Sequence, residues 1–477
     1  MNTSSDPTLG ERDRQTLLHP FTNLKAFAAG ETGGPRIVSS GDGIRIRDSN
    51  GNVLIDGFAG LYCVNVGYGR QEIAEAMYRQ ATQLAYYHSY AGHSTEAAIR
   101  LSERILKWFP GGMSKVFYGL SGSDANETQV KLVWYYNNVL GRLRKKKIIS
   151  RLRGYHGATI MSGSLTGLPF YHTAFDLPVK PVLHTTTPHH YWHAATGMSE
   201  REFSAQCATD LEAMILREGP DTVAAFIGEP LLGTGGLIPP PDGYWEAIQP
   251  VLRKYDVLLI ADEVICGFGR LGSPSGSHHY GIEPDLISVA KGLTSAYAPL
   301  SAAIVSENVW RVLEEGSDQF GVFPHGFTYS AHPLCAAAAL ANLDILERED
   351  LTRNARQTGL YLRSVLTEHL GDHPNVGEIR GEGMLAAIEL VADRATKRQF
   401  APGMKIGAEL SAACLREGLI ARAMPHGDIL GLAPPLILTR ADADEIVERI
   451  VRAVRTVKAL GGPARLPGAA SDLKSDR

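Results

Sequence analysis

The sequence predicts an α/β protein with a mostly parallel sheet buried between helices. Three observations carry that reading. Short apolar runs recur through the middle of the chain: KVFYGL, KKIIS, TVAAFIGEP, DVLLIADE, DLISVAK and SAAIVS. Segments of helical periodicity separate them, the alternation expected of βα units. The runs are also continuous rather than alternating, as strands buried on both faces should be.

Taken in order, residues 1–15 are polar and read as loose. Residues 38–60 read as a hairpin, with Ile44, Ile46, Val53 and Ile55 flanking the turn Asp48-Ser49-Asn50-Gly51. Residues 71–87 place Ile73, Met77, Ala81 and Leu84 on one helical face. After the strand-rich middle, LCAAAALANLDILE (334–347) reads as a helix and VGEIRGEGMLAAIELV (376–391) as strands. Thr439 and Asp442 form a capping-box pattern. It opens a helix with Ile446, Val447, Ile450, Val451, Val454 and Val457 inward, ended by Gly461. The stretch after Gly461 has no periodicity and is expected to be disordered. No internal repeat is present.

Composition excludes several classes of function. The chain has 477 residues, 44% hydrophobic and 21% charged, with a net charge of −4. That balance gives no electrostatic case for nucleic acid or membrane partners. The basic run RLRKKK (142–147) precedes a strand and reads as a solvated loop. Five scattered cysteines without a CxxC, no secretory leader and no long apolar span point to a reducing, cytoplasmic setting.

In a parallel α/β sheet, ligands bind beyond the carboxyl ends of the strands. Four strand tips stand out: GLSGSDANE (119–127), GEP (228–230), Asp262 and Lys291. The first is a small, flexible turn running into a helix, whose first N–H groups suit a phosphate. Each tip alone has an ordinary reading, as a turn, a cap or a lysine reaching solvent. Together they bring a phosphate cradle, an acid and a lysine to one edge of one sheet. Pyridoxal 5'-phosphate needs all three: a lysine to hold it, an Asp for its pyridinium nitrogen and an anion site. Asp262 would keep that nitrogen protonated in a low-dielectric site.

Two rivals are weaker. Apolar residues followed by Asp-Glu also describe a nucleotide-binding Walker B strand, but the chain contains no Gly-Lys dipeptide and so no matching phosphate loop. PHHYWH spaces His189 and His193 as zinc ligands could be, but HExxH is absent and Pro188 suggests a solvated, histidine-rich loop, so no metal is expected.

The motifs DGFAGLYCVNVGYGR, SGSDANE, GYHGAT, GEPLLGTGG, ADEVICGFGR, PDLISVAKGL, HGFTYSAHP and APPL span nearly the whole chain. Through them the sequence resembles the class III PLP-dependent aminotransferases, especially the ω-transaminases that pair amines with pyruvate. The resemblance implies fold type I, with a large domain on a mostly parallel sheet and a small α+β domain made from both chain ends. Residues 1–60 would join the small domain, 61–340 form the large domain, 341–460 complete the small one and 461–477 form a tail. It further implies a homodimer with active sites at the subunit interface. Lys291 would hold the cofactor and Asp262 would face its ring nitrogen. Tyr155 would stack on the ring, with Glu229 and Val264 beside it. Gly122 and Ser123 would bind the phosphate, and Thr328 would reach the phosphate of the neighbouring subunit. Tyr62 and Tyr90 would line the substrate pocket. Arg422 matches the mobile arginine that grips a substrate carboxylate. The sequence departs from the family pattern at Leu232, where Gln is common, at Tyr62, where Trp is common, and at Pro425-His426, which lengthen a loop.

The implied reaction is a ping-pong transfer of an amino group from a primary amine or ω-amino acid to a keto acid, pyruvate in the ω-transaminases. Lys291 would move the proton as a neutral amine, a form favoured by burial. Other reactions of the same cofactor (an aminomutase, racemase or decarboxylase) and a non-catalytic cofactor-binding protein are the alternatives.

Overall fold

The structure is a computed structural model that describes residues 7–461. The sequence after Gly461, expected to be disordered, lies outside the described residues.

Seven strands form the central sheet: β1 (Met113–Gly119), β2 (Lys147–Arg151), β3 (Val182–Thr185), β4 (Val223–Gly228), β5 (Leu258–Asp262), β6 (Leu286–Val289) and β7 (Ser301–Ser306). Their spatial order is β1-β7-β6-β5-β4-β2-β3. All pairs from β6 to β3 are parallel, while β7 runs antiparallel between β1 and β6. Successive residues of each strand pack on opposite layers. Ala225, Ile227 and Ile260 join the core under Val130 and Val133, whereas Phe226 and Leu259 meet Phe203, Leu211 and Trp245. Both faces are covered, so the strands read as continuous apolar runs.

Two smaller sheets use both ends of the chain. Val38–Asp42, Arg45–Asp48 and Val53–Asp56 form antiparallel ribbons, and Leu419–Ile420 adds in parallel to Val53–Asp56. The expected turn at 48–51 joins the second and third of these strands, with Asp48 Oδ1 accepting from the Asn50 and Asn52 N–H groups at 3.0 Å each. Val376–Arg380, Ala386–Leu390, Ile429–Leu432 and Arg422–Ala423 make an antiparallel sheet.

Several sequence expectations need correction. Leu9–Thr16 is helical rather than loose, because Thr8 and Glu11 close a capping box. The helix at 71 stops at Gln83, where Leu84 turns extended. The last helix begins at its Thr439 cap as expected but ends at Thr456 rather than at Gly461, because Val457 is already extended. The basic run is not simply solvated. Arg142, Arg144 and Lys147 pair with Asp256, Asp221 and Glu218, and the buried Lys145 donates to the carbonyls of Tyr255 and Asp256.

Candidate active site

The carboxyl ends of β1, β4, β5 and β6 converge on one cleft, lined among others by Gly122, Ser123, Tyr155, Glu229, Asp262, Val264 and Lys291. At the end of β1, Ser121 caps the helix Gly122–Val139 and closes a capping box with Asp124. The Gly122 and Ser123 N–H groups sit in the first turn, where no intrahelical acceptor exists. A side chain at Gly122 would come within 2.9 Å of Val264. Gly157 has φ of 136°, and a Cβ there would lie 2.6 Å from Ser123 Oγ. Both glycines keep this helix start open.

Asp262 is 3% exposed. Its Oδ2 accepts from Asn126 Nδ2 and His156 Nδ1, each at 2.8 Å, and its Oδ1 accepts from the Val264 N–H at 3.1 Å. Asn126 also donates to the His156 carbonyl at 2.7 Å. Asn126 Oδ1 and His156 Nε2 are buried and unpartnered. Sequence reasoning missed both residues. The available signal was that Asn126 lies four residues after Gly122, on the same helical face, and that His156 adjoins Tyr155.

Glu229 accepts from the Tyr155 N–H at 3.0 Å and the Gly233 N–H at 2.8 Å, and burial raises its pKa. Lys291 follows β6 with φ of 41°, a strained value for a non-glycine residue. Its Nζ lies 5.3 Å from the centre of the Tyr62 ring. Burial lowers its pKa, against the pull of Cys63, Asp262 and Glu229.

Tyr62 is 2% exposed, with its hydroxyl unpartnered and its ring 4.4 Å from Phe58. The Arg422 guanidinium sits over Phe58 at 5.6 Å. Arg422 also lines a second cavity of about 840 Å³, together with Phe21, Ile160, Phe170, Tyr171 and Phe175. The two cavities adjoin, since Ala158 lines one, Gly157 the other, and Tyr171 lies 5.5 Å from Tyr155. The longer link after Arg422 forms a hairpin in which the Met424 N–H donates to the Ile429 carbonyl at 2.9 Å. Leu232 is buried, bridges to Ile238 and does not line the cleft.

Tyr90 and Thr328 do not reach this cleft. They share an exposed surface where the Tyr90 ring abuts Gly326 and Tyr86 Oη donates to the Thr328 carbonyl at 2.6 Å. The PHHYWH segment is not a solvated loop. His189 is 2% exposed and bridges Arg153 Nη1 at 3.2 Å and Glu378 at 3.3 Å.

The aminotransferase class-III family model matches residues 26–454. The chain belongs to the class III aminotransferases. It is 61% identical to a diaminobutyrate–2-oxoglutarate transaminase from Halomonas elongata, over 96% of this chain and 97% of the relative. Among solved structures, a transaminase from directed evolution by ancestral reconstruction matches at TM-score 0.93 and 67% identity, covering 94% of this chain and 98% of that one. An ω-transaminase from Pseudomonas jessenii in complex with PMP matches at TM-score 0.91 and 46% identity, over the same shares. The aminotransferase has the PLP fold type I and uses pyridoxal 5'-phosphate. Its cleft suits that group: an open helix start for a phosphate, a buried carboxylate for a ring nitrogen and a lysine line the same cleft.

Proposed function

We propose that this aminotransferase moves an amino group from a primary amine or ω-amino acid to pyruvate, by a ping-pong mechanism. The observation that carries this is the wall of the larger cavity. Among the described residues of one chain that line it, Arg422 supplies the guanidinium, and the His19 ring already lies 2.7 Å from Asp13. One free guanidinium among apolar walls matches one carboxylate. A second carboxylate, as in 2-oxoglutarate, would meet no second guanidinium or ammonium among the described residues of this wall.

Pyridoxal phosphate, when bound, supplies the electron sink that makes the substrate C–H bond acidic. Lys291 would hold the cofactor covalently until an incoming amine displaces it, and the freed, neutral Nζ would then carry the proton from the substrate carbon to the cofactor. Asp262, held by Asn126 and His156, offers its negative charge to the ring nitrogen. Tyr155 would cover the ring, with Glu229 and Val264 alongside. Gly122 and Ser123 hold the phosphate. Tyr62 shapes the substrate side. Arg422 swings in for the acid and aside for the amine, which spares an unpaired guanidinium in the amine-bound site.

The assembly is a homodimer. Support comes from Thr328 and Tyr90, which lie outside their own chain's cleft on a surface that also exposes Tyr329 and Val322. Residues 61–340 form the large domain, and the flanking segments to 60 and from 341 to 460 form the small one. The pairing of Val53–Asp56 with Leu419–Ile420 supports that division. Five free cysteines fit a cytoplasmic setting, and no helix among the described residues is long and apolar enough to cross a membrane.

The test is a panel of arylalkylamines and ω-amino acids offered with pyruvate or 2-oxoglutarate, following alanine and glutamate. Alanine should dominate. Glutamate formed at equal or greater rate would overturn the choice of acceptor.

A further inference from the structure

One histidine fastens the loop that carries Thr328. His325 Nδ1 lies 2.8 Å from Lys131 Nζ, and its Nε2 lies 3.0 Å from Thr128 Oγ1. An ammonium only donates, so Nδ1 accepts and Nε2 carries the ring hydrogen, which it gives to Thr128. The ring stacks on Phe117 at 5.0 Å and 12° and meets the edge of Phe327 at 5.3 Å. Burial and Lys131 lower its pKa to about 4, with Asp124 opposing, so the ring is neutral near pH 7. Around it the loop is exposed: Val322 by 86% and Tyr329 by 53%. Thr128 and Lys131 belong to the helix Gly122–Val139, whose first turn is the phosphate cradle of its own cleft.

We propose that His325 is a positioning residue for cofactor retention, clamping the Thr328 loop to the phosphate-binding helix so that Thr328 meets the partner subunit's cofactor phosphate. One helix then serves two sites: its own by its N-terminus, the partner's through the clamped loop. The proposal rests on the reading of Thr328 given above.

The experiment measures the rate of cofactor loss from the holoenzyme, by absorbance, in Thr328→Ala, His325→Ala, their double variant and His325→Gln. Each alanine variant should lose cofactor about tenfold faster, the cost of one polar contact to an anion. The double variant should be no worse than the worse single one within about twofold, because both act through one contact. His325→Gln keeps an acceptor for Lys131 and a donor for Thr128, and should recover much of the loss. Normal retention in His325→Ala, multiplying losses in the double variant, or no recovery with Gln would overturn the clamp. Normal retention in Thr328→Ala would overturn the reading of Thr328, and the clamp with it.

Discussion

Asn126 and His156 both give hydrogen bonds to one oxygen of Asp262, which fixes its carboxylate as an acceptor and leaves Oδ1 turned to the cleft residue Val264. An amide in that place would lack the charge and would set one of its oxygen positions as a donor against donors. Asp262→Asn should therefore lower turnover by about 10²-fold or more, since a dominant electrostatic contribution is lost. The open start of the helix Gly122–Val139 and Lys291 remain, so the variant should still show the absorbance of bound cofactor. Near-normal turnover would show that no carboxylate is needed there. Arg422→Ala should weaken the pyruvate half-reaction by about 2–5 kcal/mol, the cost of losing one partner of a shielded charge pair. A simple amine has no carboxylate to lose, and its half-reaction should stay within about tenfold. Single-turnover rates on the two cofactor forms separate these outcomes, and equal losses in both would give Arg422 a structural role. Asp262 and Lys291 were legible because a charged residue closing a buried strand is rare. Asn126 and His156 were not, because a polar residue inside a helix or glycine-rich loop looks like any solvent-facing one until the tertiary fold brings it to Asp262.

At the scale of elements, the loop from Gly154 to Thr159 closes against the helix Gly122–Val139. The Ala158 N–H donates to Ser123 Oγ at 3.2 Å, and Glu127 accepts from the Met161 N–H at 2.9 Å. Gly157 makes that closure geometrically feasible through its φ of 136°. Gly157→Ala adds a strained backbone and a clash with Ser123, and should cost about 1–3 kcal/mol of stability. Urea unfolding of the holoenzyme reads this directly, and an unchanged midpoint would mean the loop relaxes elsewhere. Elements with strong local signals were read well, such as β5 and the helix capped by Thr439 and Asp442. Leu9–Thr16 was missed although Thr8 and Glu11 spell a capping box, because no residue of that helix is buried and no apolar period announces it. The ends of helices were misplaced where the chain leaves helical geometry without a glycine, at Leu84 and Val457.

For the whole molecule, burial lowers the pKa of His184, His189, His325 and His426 to about 4 from the ordinary 6.5. Between those values the unfolded chain binds more protons than the folded one, so stability rises with pH there and is lost as pH falls from 6.5 toward 4. Melting of the holoenzyme with excess cofactor should already decline between about pH 6.5 and 5.5, above the range where most carboxylates titrate. A flat melting temperature over that interval would mean these rings take up protons without penalty. The sheet class was legible from the buried runs, but the insertion of β7 between β1 and β6 and the pairing of distant ion partners were not, since both depend on contacts far apart in sequence. The parallel pairing of Val53–Asp56 with Leu419–Ile420 has a consequence for synthesis. Asp56 anchors the turn that presents Tyr62, accepting from the Phe58 N–H at 3.0 Å and the Gly60 N–H at 2.6 Å. The ribosome must deliver residue 420 before the strand holding that turn gains its last neighbour. A nascent or prematurely stopped chain therefore carries the helix start at Gly122 and Lys291 but leaves the strand behind Tyr62 without its last neighbour, and transaminase competence should arrive only after residue 420 has emerged.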